Sequence, residues 1–299
     1  MDYLFPLIAA VIWGGNAIVS KASAGVIAPA EIAFYRWLLA LLLLTPFVLR
    51  PILANWRIVG ANLHRFFFLG ILGYAVFPVF MYMAATYTSA IHIGLIQSLM
   101  PLFSLGLSVA LLGHRATYGA LAGGVVSLAG VAIVVTHGHP TELFTKAPNT
   151  GDMLMLAAAA CYALYSVLLK HWRPQVPLLQ SLYVQGVGAT ITLLPFFLLS
   201  DRHGLDATNL PLVGYAGALA SIVAPLVWMH GIGRIGPARA ALFFNLVPVV
   251  AAALAVAILS EHLTMGLILG GGLTIGGVLI AERWRTPLTN AARNVTPAQ

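Results

Sequence analysis

With 299 residues, 60% of them hydrophobic and only 8% charged, the chain has more apolar surface than one water-soluble core can bury, which leaves the bilayer as its solvent. The formal net charge of +7 is spread over helix ends instead of lining one solvated face with aromatics between, which excludes a nucleic-acid surface. A single cysteine, Cys161, excludes an intrachain disulfide or cysteine-based zinc site and reads as small apolar filler.

Apolar runs between charged and turn residues predict ten transmembrane helices, near 3–21, 31–49, 66–86, 90–112, 117–136, 152–170, 178–200, 211–230, 238–259 and 264–282. The two longest connectors, from Arg50 to Arg65 and from His137 to Thr150, are polar, and no soluble domain fits between the spans. Ala22-Ser23-Ala24 has the small-x-small form of a signal-peptidase site, but Met1 to Pro6 lacks a positive n-region, so the first helix is expected to be retained. If the N-terminus is cytoplasmic, eleven Lys and Arg residues fall on that side, against Lys21, Lys146 and Arg202 on the other. This positive-inside bias places both termini in the cytoplasm of a bacterial inner membrane.

The second half repeats the first. An offset of 149 lays Trp13 on Tyr162, Lys21 on Lys170 and Pro46-Phe47 on Pro195-Phe196. After a slip of two, an offset of 147 pairs Pro78 with Pro225, Pro101 with Pro248, and Gly119, Gly123 and Gly130 with Gly266, Gly270 and Gly277. The expected organisation is a first five-helix repeat over 1–137, a connecting loop over 138–151, a second repeat over 152–284 and a cytoplasmic tail over 285–299. Five is odd, so the halves enter the membrane from opposite sides: an all-α integral membrane fold of two inverted repeats.

Pro78, Pro101, Pro225 and Pro248 predict kinks or local unwinding in the third, fourth, eighth and ninth helices, as hinges or cavity walls, or simply as static kinks. The G-x-x-x-G pairs, Gly119 with Gly123 and Gly266 with Gly270, predict close packing of the fifth and tenth helices. Polar and aromatic residues recur inside apolar spans: Trp13 and Asn16; Phe77 and Tyr82; Gln97 and Ser98; Tyr162 and Tyr165; Ser221 and Trp228; Asn245. Together they predict an apolar-walled substrate pocket with a few hydrogen-bonding groups, although each amide can equally bond a neighbouring helix. Trp37, Trp56, Trp172 and Trp284 read as headgroup anchors. The ionisable candidates are Glu31, Arg36, read as structural or gating ahead of carboxylate binding, and His230 near the cytoplasmic mouth. His137-Gly138-His139 lacks further metal ligands and the chain has no P-loop, so neither metal nor cofactor is expected.

Trp13-Gly14-Gly15-Asn16 with Lys21, Arg36-Trp37-Leu38-Leu39-Ala40, and Pro101 and Pro248 within two five-helix repeats resemble the EamA-type branch of the drug/metabolite transporter superfamily. The turn before the last helix departs from the family's Gly-Glu by placing Ser260 before Glu261. The resemblance implies export of small molecules by alternating access, and within the family the chain is similar to bacterial aromatic amino-acid exporters. Sister groups move drugs, nucleosides or sugars, so a proton-coupled drug or metabolite exporter is the alternative. A membrane-embedded enzyme would need a convergent acid, base or nucleophile set that the spans do not supply. Of eight acidic residues only Glu31 approaches the membrane interior, which favours facilitated export over proton antiport through Glu31 or His230.

Overall fold

A computed structural model of the chain describes residues 2–23, 26–87, 96–97, 99–113, 116–136, 149–173, 175–200, 204–259 and 264–288. These residues are overwhelmingly helical. The first span is Leu4–Ser23, and the second is Pro29–Ala54, followed by the short connecting helix Trp56–Ala61. The third runs from Leu63–Gly70 through a π-helical segment, Ile71–Val76, into Phe77–Tyr87; the fourth is described over Met100–Leu112 and the fifth is Tyr118–Val135. The sixth is Thr150–Trp172 and the seventh Leu178–Leu199. The eighth runs from Leu210–Ala218 through π-helical Leu219–Val223 into Ala224–Ile235. The ninth joins Pro237–Leu242 to Leu246–Leu259 through a 3₁₀ turn at Phe243–Asn245, and the tenth is Met265–Arg283.

The chain is inside-out relative to a soluble protein. Phe47, Leu53 and Leu199 are exposed on the outer surface while Glu31, Gln185, Ser221 and Asn245 are fully buried between helices. Five described helices are long and apolar enough to cross a bilayer: Pro29–Ala54, Leu63–Met81, Thr150–Trp172, Leu178–Leu199 and Leu210–Ile235. The other apolar helices are shorter by this measure.

The distortion at the first pair of prolines is not an unwinding but a π segment one turn earlier. Phe77 N–H donates to Leu72 O, and Ala224 N–H donates to Leu219 O, each reaching back five residues instead of four. The next residue in each case is proline, Pro78 or Pro225, with no N–H to give. The carbonyls of Gly73 and Ala220 therefore lose their helical donor. The two segments fall at equivalent positions under the offset of 147, so the repeat extends to the backbone hydrogen-bond pattern. The ninth helix is broken by its 3₁₀ turn just before Pro248, and Pro101 lies in the first turn of the described fourth helix.

Contacts between the halves come in reciprocal pairs. Gly70 of the third span lies against the backbone carbonyl of Gln185 on the seventh, and Gly217 of the eighth against the carbonyl of Arg36 on the second; the repeat equates 70 with 217 and 36 with 185. Likewise Gly204 N–H donates to Glu31 Oε1 at 3.0 Å and Asn55 Nδ2 donates to Gln180 Oε1 at 3.2 Å, with 31 equivalent to 180 and 55 to 204. Pairs of this kind are the mark of a two-fold relation, in which i meets j and j meets i.

The fifth and tenth helices make the closest backbone approach. A Cβ at Gly123 would meet Gly277 O and the Ala281 backbone, and one at Gly130 would meet Gly270 O and Thr274. This is the packing that the G-x-x-x-G spacing predicts, extended to Gly130 and Gly277. Gly123→Ala is expected to destabilise the protein by about 1–3 kcal/mol, whereas Gly276→Ala, with nothing within 4 Å of its added Cβ, leaves the melting temperature in detergent unchanged or raised. Equal melting curves for the two variants would refute the close-packing account.

Candidate substrate site

The first, sixth, eighth and ninth spans meet in an aromatic cluster at the centre of the fold. Trp13 stacks on Phe244 with centroids 5.0 Å apart and planes 12° from parallel. Its edge contacts reach Trp228 at 5.4 Å and Tyr162 at 6.2 Å. Phe244 also packs against Trp228 at 4.6 Å and Tyr162 at 5.1 Å. Phe77 adds a wall from the third span, 4.9 Å from Tyr162. From Tyr162 the ring contacts continue through Tyr165 and Tyr74 to Trp37 on the second span. Each such pair contributes about 0.5–1.5 kcal/mol beyond its buried area, so the cluster is also a structural centre.

The backbone irregularities position these rings. Trp13 Nε1 donates to Ala220 O at 3.3 Å, the carbonyl that Pro225 leaves without a helical donor. The 3₁₀ turn carries Phe243, Phe244 and Asn245, all buried, and presents Phe244 to Trp13. In the third span's π segment, Tyr74 and Tyr165 share a hydroxyl hydrogen bond of 2.8 Å, and a Cβ at Gly73 would strike the Tyr165 ring.

Polar groups border the cluster without being consumed by it. Among the described residues, the buried Asn16 Oδ1, Tyr162 hydroxyl, Trp228 Nε1, Gln185 Oε1 and Asn245 Oδ1 have no hydrogen-bond partner. An unsatisfied buried polar group costs about 1–3 kcal/mol, so five around one region call for partners that arrive from outside the fold. Arg36 is tied across the halves, its Nε donating to Ser221 Oγ at 2.7 Å, and Ser221 in turn donates to Ala216 O at 2.8 Å.

Of the predicted pocket, Trp13, Phe77, Tyr162, Tyr165 and Trp228 converge, with Asn16 following Trp13 by one turn on the first span. Asn245 donates from Nδ2 to Ser127 Oγ at 2.9 Å, so half of its amide is a helix-to-helix contact. Gln97 is half-buried. Ser98 and the Tyr82 side chain lie outside the described residues, as does the Ser260-Glu261 turn. Both Glu31 oxygens are engaged at the helix start, Oε2 by Ala28 N–H at 3.3 Å and Oε1 by Gly204. His230 is partly buried and packs at a 52° tilt against Phe5, with centroids 4.3 Å apart. One tryptophan needs correcting: Trp37 is no headgroup anchor but 3% exposed, stacked on Tyr74 at 4.5 Å. Trp56 and Trp284 are about half exposed, as expected of anchors.

Phe244, Tyr74 and Gln185 escaped the sequence reading. Phe244 adjoins Asn245, and Tyr74 lies four residues before Pro78. Gln185 is the repeat equivalent of Arg36, a match visible by carrying the 149 offset into the seventh helix.

Known proteins agree with this architecture. The sequence profile of the EamA-like transporter family matches residues 1–136 and 149–282, one block per half. A Bacillus subtilis (strain 168) protein described as an uncharacterized transporter, YyaM, is 28% identical over 287 residues, covering 94% of this chain and 93% of that protein. An Escherichia coli (strain K12) protein described as a probable amino-acid metabolite efflux pump is 29% identical over 307 residues, covering 95% and 96%. A probable terminal-alkyne amino-acid exporter of Streptantibioticus cattleyicolor is 27% identical over 218 residues, covering 72% and 71%. A solved crystal structure, 18% identical, superposes with a TM-score of 0.75 over 94% of this chain and 96% of its own, a likeness of fold.

The Tyr74–Tyr165 bond offers a test of how the cluster is held. Either single Tyr→Phe change leaves one buried hydroxyl unpartnered and is expected to destabilise by about 1–3 kcal/mol, while the double change recovers much of that loss. Additive losses in the double-mutant cycle would show that the hydroxyls do not depend on each other.

Proposed function

The chain belongs to the EamA-like transporter family, and from that premise we propose that it exports amino acids, neutral and aromatic ones first, from the cytoplasm by alternating access. The observation that carries the reading is the set of unpartnered buried polar atoms around the aromatic cluster. A zwitterionic amino acid matches it group for group. Trp228 Nε1–H and the Tyr162 hydroxyl offer donors to a carboxylate, Asn16 Oδ1 offers an acceptor to an ammonium, and the faces of Trp13, Phe77 and Phe244 take an apolar side chain. The names of the similar efflux pump and exporter support the same substrate class.

With Trp228 1% and Tyr162 4% exposed, the rings pack on one another, so a substrate enters only by parting them. The reciprocal contacts between halves support an inverted-repeat arrangement in which either side of the cluster opens in turn, with Pro78, Pro101, Pro225 and Pro248 at the backbone irregularities that move. The bonds that Glu31 makes to Ala28 and Gly204 favour a structural role for this carboxylate, which supports facilitated export over proton antiport.

Purified protein in proteoliposomes is expected to catalyse counterflow of phenylalanine or another neutral amino acid, and to continue when a protonophore collapses the pH gradient. Accumulation driven uphill by an imposed pH gradient would replace facilitated export with proton coupling, and no counterflow across a full amino-acid panel would remove the substrate class. Trp228→Phe deletes an unpartnered N–H but also leaves a cavity among Trp13, Tyr162 and Phe244, so it is expected to lower the melting temperature modestly while weakening apparent substrate affinity about tenfold. A variant with unaltered affinity would take Trp228 out of the site.

A further inference from the structure

Away from the aromatic cluster, a cavity of about 200 Å³ opens between the ends of the sixth, seventh and eighth spans, on the side where the positive-inside distribution sets the cytoplasm. Its charged lining residues are Lys170 and Arg173, both cations, set among apolar Leu169, Val176 and Ile232. Lys170 Nζ donates to Gly233 O, which takes one of its three protons. Among the described residues, Asp2, from the start of the chain, is held by Arg234 of the eighth span at 3.1 Å and does not line the cavity. Arg173 closes the sixth helix in the left-handed region, with φ 38°, a conformation that glycine adopts without strain and arginine does not. Two cations therefore share one small, largely apolar cavity, with no acidic side chain among the described residues that line it.

The inner wall of the cavity leads towards the cluster. Ser181 and Met229 both line it, and buried Gln185 contacts both, its Nε2 donating to Ser181 Oγ at 2.8 Å and lying 3.8 Å from Met229 Sδ. Gln185 Oε1 is buried without a partner. Met229 follows Trp228 directly, so the same turn of helix contributes one residue to the cavity wall and one to the cluster. Methionine is unbranched and repacks readily, as a movable partition requires.

We propose that this cavity is the loading vestibule of the exporter, where Lys170 and Arg173 capture the substrate's carboxylate before Met229 and Gln185 admit it to the aromatic cluster. The proposal rests on the amino-acid reading above. An anionic lipid headgroup offers similar charge, but a lipid site needs no buried acceptor behind its wall and no continuity with Trp228. Capture by paired cations accounts for both: the carboxylate is held at the mouth while the ammonium turns towards Gln185 Oε1.

The test is equilibrium binding of radiolabelled phenylalanine, and of phenylalaninamide, which keeps ring and ammonium but lacks the carboxylate. The full-length protein is used in phosphatidylethanolamine nanodiscs, and counterflow is run in parallel on the same preparations. Arg173→Gly removes the guanidinium and relieves the backbone, so lost binding in that variant cannot be blamed on a strained fold. Lys170→Met paired with it is expected to weaken phenylalanine binding about tenfold and leave phenylalaninamide unchanged, and Lys170→Arg restores most of the loss of Lys170→Met. Unchanged phenylalanine binding in the double variant with normal counterflow overturns the vestibule and leaves the export reading intact. Equal losses for both ligands overturn it in favour of packing, and a loss that appears only when phosphatidylglycerol is added overturns it in favour of a lipid site. If phenylalanine binding depends on the two cations but no amino acid shows counterflow, the carboxylate site stands and the export reading falls. Absence of phenylalanine binding in the wild type overturns it as well.

Discussion

A proline inside a membrane helix has no N–H to give, and hydrocarbon has none to lend. This constraint organises the centre of the protein. In water the carbonyl that Pro225 leaves without a helical donor would be solvated; here Ala220 O must find a donor within the fold, and the donor is the Trp13 indole. The bond fixes the height and rotation of Trp13, and Trp13 in turn stacks on Phe244 and edges against Trp228 and Tyr162. A missing backbone proton in one half thus anchors the central ring supplied by the other half. Lipid facing the outside of the helices contributes nothing to this choice, because apolar side chains gain little by leaving it for one another.

The same logic separates scaffold from site. The fifth and tenth helices bring glycine backbones together, and their ends are tied by Tyr118 N–H donating to Thr286 O at 3.0 Å. The central spans use wider and tighter helical turns, large rings and buried amides. Close backbone packing of small residues thus marks the fifth and tenth helices, and irregular backbone with large rings marks the centre.

Most of the fold was legible because hydrophobic run length and the duplicated Pro and Gly positions are direct records of bilayer thickness and of the repeat. The aromatic members of the site were legible for a related reason: Trp13 and Tyr162 are repeat equivalents that meet at the centre. Phe244 was not, since a phenylalanine in an apolar span is indistinguishable from lipid-facing neighbours until a 3₁₀ turn aims it inward. Trp37 was misassigned for a similar reason, because proximity to a helix end suggested a headgroup anchor whereas the helix begins earlier, at Pro29, and turns that ring onto Tyr74. Proline positions predicted that the backbone would deviate; they could not specify a π segment, whose choice depends on which carbonyls the neighbouring helix can satisfy.

The reciprocal contacts between halves are alike in place but not in chemistry. Glu31 meets a backbone N–H at Gly204, while its counterpart Gln180 meets a side-chain amide at Asn55. Were the halves identical in sequence, the contacts on the two sides of their shared two-fold axis would be identical too, and nothing in the fold would tell one face of the membrane from the other. Residues that match across the axis keep the two halves alike, and the mismatched pairs make the two sides chemically distinct. In a molecule built by doubling, the two faces differ only where the copies have ceased to agree.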